Sequence, residues 1–362
     1  MLATSSDSRI LPSVPQPPTK FPLAVLVWSG AAPALRYLPV ATTGMTIGRE
    51  LLPDTDDDRL SRRHAQLTWD GRQFEITDLG SRNGTNLAAT PLIHQSAKAT
   101  PRAVVRTGRT IFVLNFDSVP NVPLETVSHD GLVVGPSTFH AYQAMLQAAT
   151  NRQHVLITGE AGTGKTRYAR LLAKRMAEPT AIFDPSVHAI AMDRVIGKAT
   201  TIIIEQIGKL GDAHRIALRN LLATRTDVRI IVTSTAPLAE VGVPADLIAA
   251  LAGPTIHLPP LRERFDELPT LLAQTLATVE PTLVIHATLV EASLLRPWPS
   301  NLHDLLSQLQ ICAHSVANQG KTHIRGEDLS NEAGQLMMGP PTIHAGAQQT
   351  IANLLRKSRP EE

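Results

Sequence analysis

Residues 154–166 read H-V-L-I-T-G-E-A-G-T-G-K-T, and no other stretch of the 362-residue chain restricts its fold as tightly. The string contains G-x-x-x-x-G-K-[ST], with Gly159, Gly164, Lys165 and Thr166 at the fixed positions. Glycine lets the backbone curl until successive N–H groups point inward at an anion. A helix starting near Lys165 aims the positive end of its dipole at the same place. Glu160, Ala161, Gly162 and Thr163 then wall the cradle, Lys165 reaches the β- and γ-phosphates of a nucleotide, and the Thr166 hydroxyl holds Mg²⁺. A Gly-rich turn could instead merely join two elements. Context argues against that. The apolar run 155–157 reads as a buried strand, and Tyr168, Leu171, Leu172 and Met176 share one face of a helix. Nucleotide binding is therefore expected, and hydrolysis has to be judged from other residues.

The length suggests two domains or a little more. A net charge of +2 offers no global attraction to nucleic acid or a membrane surface. One cysteine, Cys312, excludes an intramolecular disulfide and a cysteine metal cage, and fits a reducing cytoplasm. No apolar run has the length of a membrane span. Asp7, Arg9 and the prolines after them do not make a signal peptide. A cytoplasmic protein is the expectation.

Along the chain, residues 1–21 are rich in Ser, Thr and Pro and read as a disordered arm. Short apolar segments at 23–28, 36–40, 45–47, 65–69, 74–76 and 111–116, parted by Gly, Asp, Asn and Pro, predict an all-β sandwich over 22–117. Residues 118–131 read as a linker. The texture then becomes α/β over 132–258, with helices at 140–149 and 213–223 and the continuous apolar runs 202–204 and 230–232 as central parallel strands. Residues 259–337 read as helical, with elements at 268–277, 286–295 and 302–317. The tail 338–362 carries one weak helical patch at 350–357.

Three strings in the β-rich part form a second pattern: Ile47-Gly48-Arg49, Leu60-Ser61-Arg62-Arg63-His64-Ala65, and Asp78-Leu79-Gly80-Ser81-Arg82-Asn83-Gly84-Thr85. In this order and spacing they resemble the forkhead-associated (FHA) domain. That resemblance implies a sandwich whose loops at one end bind a Thr-phosphorylated protein. Arg49 and Ser61 match the phosphate-binding positions, Arg62 a further cationic contact, and Asn83 a contact to the ligand backbone. A guanidinium fork with hydroxyl and backbone donors suits a dianionic phosphate. His64 is expected to pack the loop, and Arg63 to lie on the surface.

The second half resembles the AAA+ domain of the sigma-54 activators, a bacterial family. The resemblance rests on Val134-Gly135-Pro136-Ser137, the 159–166 loop, Leu258-Pro259-Pro260-Leu261-Arg262-Glu263-Arg264 and Trp298-Pro299-Ser300-Asn301-Leu302. It implies an α/β core and a small helical lid, with ATP between them. It also implies an Asp-Glu pair after an apolar strand, one residue for Mg²⁺ and one as general base. Here Ile202-Ile203-Ile204 is followed by Glu205-Gln206. Glu205 keeps a carboxylate for the metal, but the amide of Gln206 cannot accept a proton, and loss of a general base costs about two to four orders of magnitude in rate. The family's water-positioning Asn falls on Ser234, its two arginine fingers on Pro244 and Ala250, and its lid arginine on His303. Only 38 residues separate Thr166 from Glu205, and the G-A-F-T-G-A loop that grips the sigma factor is absent. The tail offers no second helix for a DNA-binding helix-turn-helix. The expectation is a signalling protein that reads phosphothreonine and holds ATP as a pseudo-ATPase, alone or with another AAA+ protein or a second copy of itself. An active sigma-54-type ATPase acting in transcription and a pure protein-interaction scaffold are the rival readings.

Overall fold

The structure is a computed structural model that describes residues 19–92, 95–187 and 192–334. The expected arm up to residue 18 and the tail with its 350–357 patch lie outside the described residues. The N-terminal part forms strands β1 (Phe21–Ser29), β2 (Ala32–Pro39), β3 (Met45–Ile47), β4 (Ala65–Trp69), β5 (Phe74–Asp78), β6 (Thr85–Leu87), β7 (Thr90–Leu92), β8 (Ser96–Ala99), β9 (Val104–Thr107) and β10 (Thr110–Asp117). They make two antiparallel sheets, ordered β2-β1-β10-β9-β6-β7 and β3-β4-β5-β8. The alternation along β5, with Phe74, Ile76 and Asp78 buried, places one face inward. Strands β6 to β9 went unread in the sequence because they are three or four residues long, too short to show an alternating pattern.

Strand β1 does not alternate. Leu23 to Trp28 are all buried, because the outer sheet is covered on both faces. Ala24 and Leu26 pack inside the sandwich with Phe112 and Leu114 of β10. Leu23, Val25, Val27, Ile111 and Val113 face the other way and join the core of the C-terminal helices.

A hairpin of β11 (Val127–His129) and β12 (Leu132–Val134) leads into the α/β part. A strand thus occupies a segment expected to be a plain linker, since Val127 and Ser128 pair with Val134 and Val133. There follow α1 (Phe139–Thr150), β13 (Val155–Thr158), α2 (Lys165–Met176), β14 (Thr180–Phe183), α3 (Met192–Ile196), β15 (Thr201–Ile204), α4 (Asp212–Thr224), β16 (Arg229–Ser234), α5 (Ala245–Ala250) and β17 (Thr255–His257). The parallel sheet has the order β14-β15-β16-β13-β17, so the 159–166 loop leaves its interior. The C-terminal part comprises α6 (Leu268–Val279), β18 (Val284–Ile285), α7 (Ala287–Leu294), α8 (Asn301–Asn318) and β19 (His323–Ile324). β18 and β19 add a two-stranded parallel ribbon to a part expected to be helical.

One ion pair lies within the seam between the outer sheet and these helices. Arg106 Nε on β9 donates to Glu291 Oε2 on α7 at 2.6 Å, with the two side chains 17% and 3% exposed. The other oxygen of Glu291 accepts from the Ala89 backbone N–H at 3.2 Å. Breaking such a pair strands a buried charge and costs about 3 kcal/mol, whereas replacing both partners with apolar side chains costs much less. Glu291→Ala is therefore expected to lower the thermal midpoint more than Arg106→Leu/Glu291→Leu does, as read by calorimetry. Equal losses would mean that the pair is not desolvated.

Candidate functional site

The phosphate cradle is built from the end of β13 and the start of α2. Gly159, Gly162 and Gly164 have φ of +146°, +76° and +102°, a region that side chains with a Cβ avoid. At Gly162 a Cβ would also lie 2.0 Å from the Ser300 carbonyl oxygen. No side chain caps α2, which leaves its first N–H groups free to meet an anion. Lys165 is buried and its Nζ donates to the Glu160 carbonyl at 2.6 Å. Burial holds its pKa below the usual lysine range, against the opposing pull of Glu160.

The C-terminal part grips this loop from outside. Arg262 donates two bonds to the Glu160 carboxylate, at 2.8 and 2.6 Å, and that pairing is the main cause of the lowered Glu160 pKa. Asn301 Nδ2 reaches the Ala161 carbonyl at 2.8 Å, Leu302 N–H the Gly162 carbonyl at 3.1 Å, and Arg264 Nη1 the Thr163 carbonyl at 3.3 Å. Both arginines of L-P-P-L-R-E-R thus brace the cradle. Arg264 is buried and paired with Glu267, which also accepts from Gly135 N–H and Thr138 Oγ1. Asp266 beside it accepts from Ser137 N–H and Oγ, at 2.8 and 2.5 Å. Burial, and then the charge of Glu267, raises the Asp266 pKa.

Two cavities meet at Gly164 and Arg167. One of about 460 Å³ is lined by Gly162, Lys165, Thr166, Arg170, Gln206 and Thr233. The other, of about 260 Å³, lies between core and lid against Val133, Tyr168, Leu271, Leu302 and Leu306. Lys165, Arg167 and Arg170 bring cations to the first, while the second adds the aliphatic side chains of Leu271, Val279, Leu302 and Leu306 beside Arg167 and Arg264. The sequence reading missed the second cavity, since Tyr168 and Leu302 look like ordinary helix residues until the lid closes over them.

Gln206 has φ +50°, and its backbone N–H donates to Thr233 Oγ1 at 3.0 Å. Glu205 is set back from the cleft. Its Oε1 is buried without a hydrogen-bond partner, 3.7 Å from Arg170 Nη2. Ser234 is buried and donates to the Ala236 carbonyl at 2.6 Å, so the Thr233 and Thr235 side chains face the cleft in its place. Pro244 caps α5 and Ala250 ends it. The nearby Arg219 is tied to Asp246. His303 lies exposed on α8 beside Gly162.

At one end of the sandwich, loops distant in sequence are stitched together. Arg49 N–H donates to the Ser61 carbonyl at 3.1 Å and Glu50 N–H to the Arg62 carbonyl at 3.2 Å. Gly48 permits this approach, because a Cβ there would lie 2.0 Å from the Arg62 oxygen. His64 is fully buried. Its Nδ1 accepts from Ser61 N–H at 3.0 Å and its Nε2 donates to the Gly84 carbonyl at 3.0 Å, which fixes a neutral tautomer. Ser61 Oγ accepts from Arg82 N–H at 3.3 Å, and Asn83 Nδ2 donates to the Arg59 carbonyl at 2.8 Å. Arg49, Arg62 and Asn83 are exposed and Ser61 is half-buried. The fold therefore gathers these four residues at one end, with their guanidinium groups free to meet a ligand.

The fold and these two sites define an FHA domain followed by an AAA+ domain. Residues 45–108 match the family model described as FHA domain, and residues 139–261 the one described as Sigma-54 interaction domain. Each model thus matches one part of the chain, the first the sandwich and the second the α/β part. It is 25% identical over 239 residues to the hydrogenase transcriptional regulatory protein HoxA of Cupriavidus necator, covering 53% of this chain and 48% of that protein. It is 28% identical over 218 residues to the putative transcriptional regulatory protein y4pA of Sinorhizobium fredii, covering 49% and 35%. The chain thus spans about half of the first relative and about a third of the second. NtrX from Brucella abortus in complex with ATP aligns with a TM-score of 0.49 at 18% identity, over 64% of each chain. The RuvB branch migration motor of Thermotoga maritima aligns at 0.44 and 16%, over 52% of this chain and 64% of that one. No helix among the described residues is long and apolar enough to cross a membrane.

His286 caps α7, its Nδ1 accepting from Thr288 N–H at 3.3 Å. Burial, helped by Arg325 and Arg106, pushes its pKa down to about 4, and burial also lowers that of His64. An unfolded chain protonates these imidazoles near pH 6.5, before the fold does, so acidification through that value removes stability. For His286 the loss runs from about pH 6.5 down to about pH 4. His286→Asn keeps a capping acceptor that does not titrate. Between about pH 7 and about pH 5 its thermal midpoint is expected to fall less than that of the wild type. The difference between the two proteins isolates His286 from Asp266, which titrates in the same window.

Proposed function

We propose that this is a phosphothreonine-dependent regulatory protein whose AAA+ domain holds ATP and hydrolyses it slowly or not at all. The observation that carries the reading is the contrast within one cleft. Lys165, Thr166 and the glycine cradle are complete, while Gln206 lines the wall where a general base is needed. Nor does α5 supply an arginine for a neighbouring nucleotide. Loss of such an arginine costs about three to five orders of magnitude. The Leu271, Val279, Leu302 and Leu306 side chains of the second cavity support a purine base, and the Lys165, Arg167 and Arg170 cations of the first support the phosphates. The Thr166 hydroxyl and the Glu205 carboxylate, whose Oε1 makes no hydrogen bond, are hard-oxygen donors that suit Mg²⁺. Among the described residues no group of three His, Cys, Asp or Glu could hold a metal, so phosphate and water would complete its shell.

Calorimetric ATP binding and ATP turnover on one purified sample test this reading. Binding without turnover is expected, and binding should be lost in Lys165→Ala. Turnover at the rate of a motor would overturn it in favour of an active ATPase. Absence of binding would favour the scaffold, a reading to which the bracing of Glu160 by Arg262 lends support. At the sandwich, Arg49→Ala is expected to abolish binding of phosphothreonine peptides from a degenerate library while leaving the thermal midpoint unchanged. If the wild type binds no such peptide above its unphosphorylated control, the phosphothreonine reading fails.

A further inference from the structure

We propose that the phosphothreonine-binding end of the sandwich and the adjoining corner of the lid form one continuous cationic surface, fitted to a phosphothreonine segment flanked by further anionic residues. The inference rests on the phosphothreonine reading above and names the class of ligand that such a site takes.

The sandwich end carries Arg49, Arg59, Arg62, Arg63 and Arg82, all exposed and none in an ion pair among the described residues. A single phosphate needs fewer cations than this. A chain of contacts then leads from these loops onto the lid. Gly108 packs against Arg59 so closely that a Cβ would lie 2.8 Å from the Arg59 carbonyl carbon. The Gly108 carbonyl accepts from Arg106 Nη1 at 3.3 Å, and Arg106 Nε is bound to Glu291 of α7. His286 caps that helix and donates its backbone N–H to Ile324 at 3.0 Å, between the exposed His323 and Arg325. Arg59, Arg325 and His323 thus converge on one corner. After burial, Arg325, Arg106 and Arg59 in turn lower the pKa of the His286 imidazole, as expected of cations placed around one corner. Of the carboxylates around this corner, Glu291 is engaged by Arg106, Asp328 by Lys321 and Asp58 by Arg109, while Glu50 and Glu327 are exposed and outnumbered by the arginines.

The two ends of this surface have different tasks. Arg49 and Ser61 take the phosphothreonine. Asn83, bonded to the Arg59 carbonyl, sets Arg59 beside the path of the ligand. An acidic side chain or a second phosphate on the same segment then meets Arg59 and Arg325, where charge-assisted contacts replace water.

The test is fluorescence anisotropy on the full chain, with labelled phosphothreonine peptides whose flanks are alanine, aspartate and glutamate, phosphoserine, or lysine. The acidic and phosphoserine peptides are expected to bind about tenfold tighter than the alanine one, with the gain lost at high salt. Arg325→Ala/His323→Ala should erase that gain and leave the alanine-flanked peptide unaffected. Arg325→Glu, which keeps a long polar side chain on the exposed corner, should shift the preference toward the lysine flank. Equal binding of all flanks by the wild type, or a gain that survives in both lid variants, overturns the inference alone. If no phosphothreonine peptide binds above its unphosphorylated control, the reading beneath it falls and the inference with it.

Discussion

The seam between the outer sheet of the sandwich and the lid is the constraint on which the rest of this molecule depends. Leu23, Val25, Val27, Ile111 and Val113 would form a large exposed apolar face on an isolated sandwich. Here they share one core with Leu268, Leu272, Leu289 and Leu305 of the lid. The desolvated Arg106–Glu291 pair fixes the register of that contact, since an unmatched charge there would be costly. The seam continues toward the nucleotide cleft. Arg102 Nη1 reaches the Arg262 carbonyl at 3.5 Å, and the Arg262 side chain holds Glu160 in the phosphate cradle. Sandwich, lid and cradle are therefore in direct physical contact.

The same economy of contacts shapes the cleft. Arg264, Glu267 and Asp266 form a buried polar knot that ties the Gly135–Thr138 entry segment to the cradle through Thr163. Every carboxylate oxygen of the Asp266–Glu267 pair meets a donor, which is the condition under which buried charge is tolerated. What the cleft retains is a framework for holding phosphates. Its wall carries the amide of Gln206, and α5 carries no Lys or Arg.

Much of this was legible in the sequence where local chemistry is explicit. The cradle, the central parallel strands and the helices at 139–150, 212–224 and 301–318 follow from glycine spacing and periodicity. The short strands β6 to β9 did not show, because pairing with neighbours rather than side-chain pattern makes them strands. Nor did the seam, although a signal was present. The unbroken run from Leu23 to Trp28 in an antiparallel sheet demands cover on both faces. Nor did the sequence show that Ser234 turns away from the cleft, its hydroxyl bound to the Ala236 carbonyl while Thr233 and Thr235 line the wall. The cavity between Val133, Tyr168 and Leu306 joins residues more than a hundred positions apart, and only the fold brings them together.

Native-state hydrogen exchange with increasing denaturant tests most directly whether sandwich and lid are one body. The account predicts that amides of β1 and β10 in the seam and amides of α7 open together, with the same denaturant dependence. Loss of protection in α7 while β1 and β10 remain protected would contradict it, and would return the sandwich to the status of a module merely tethered to the lid.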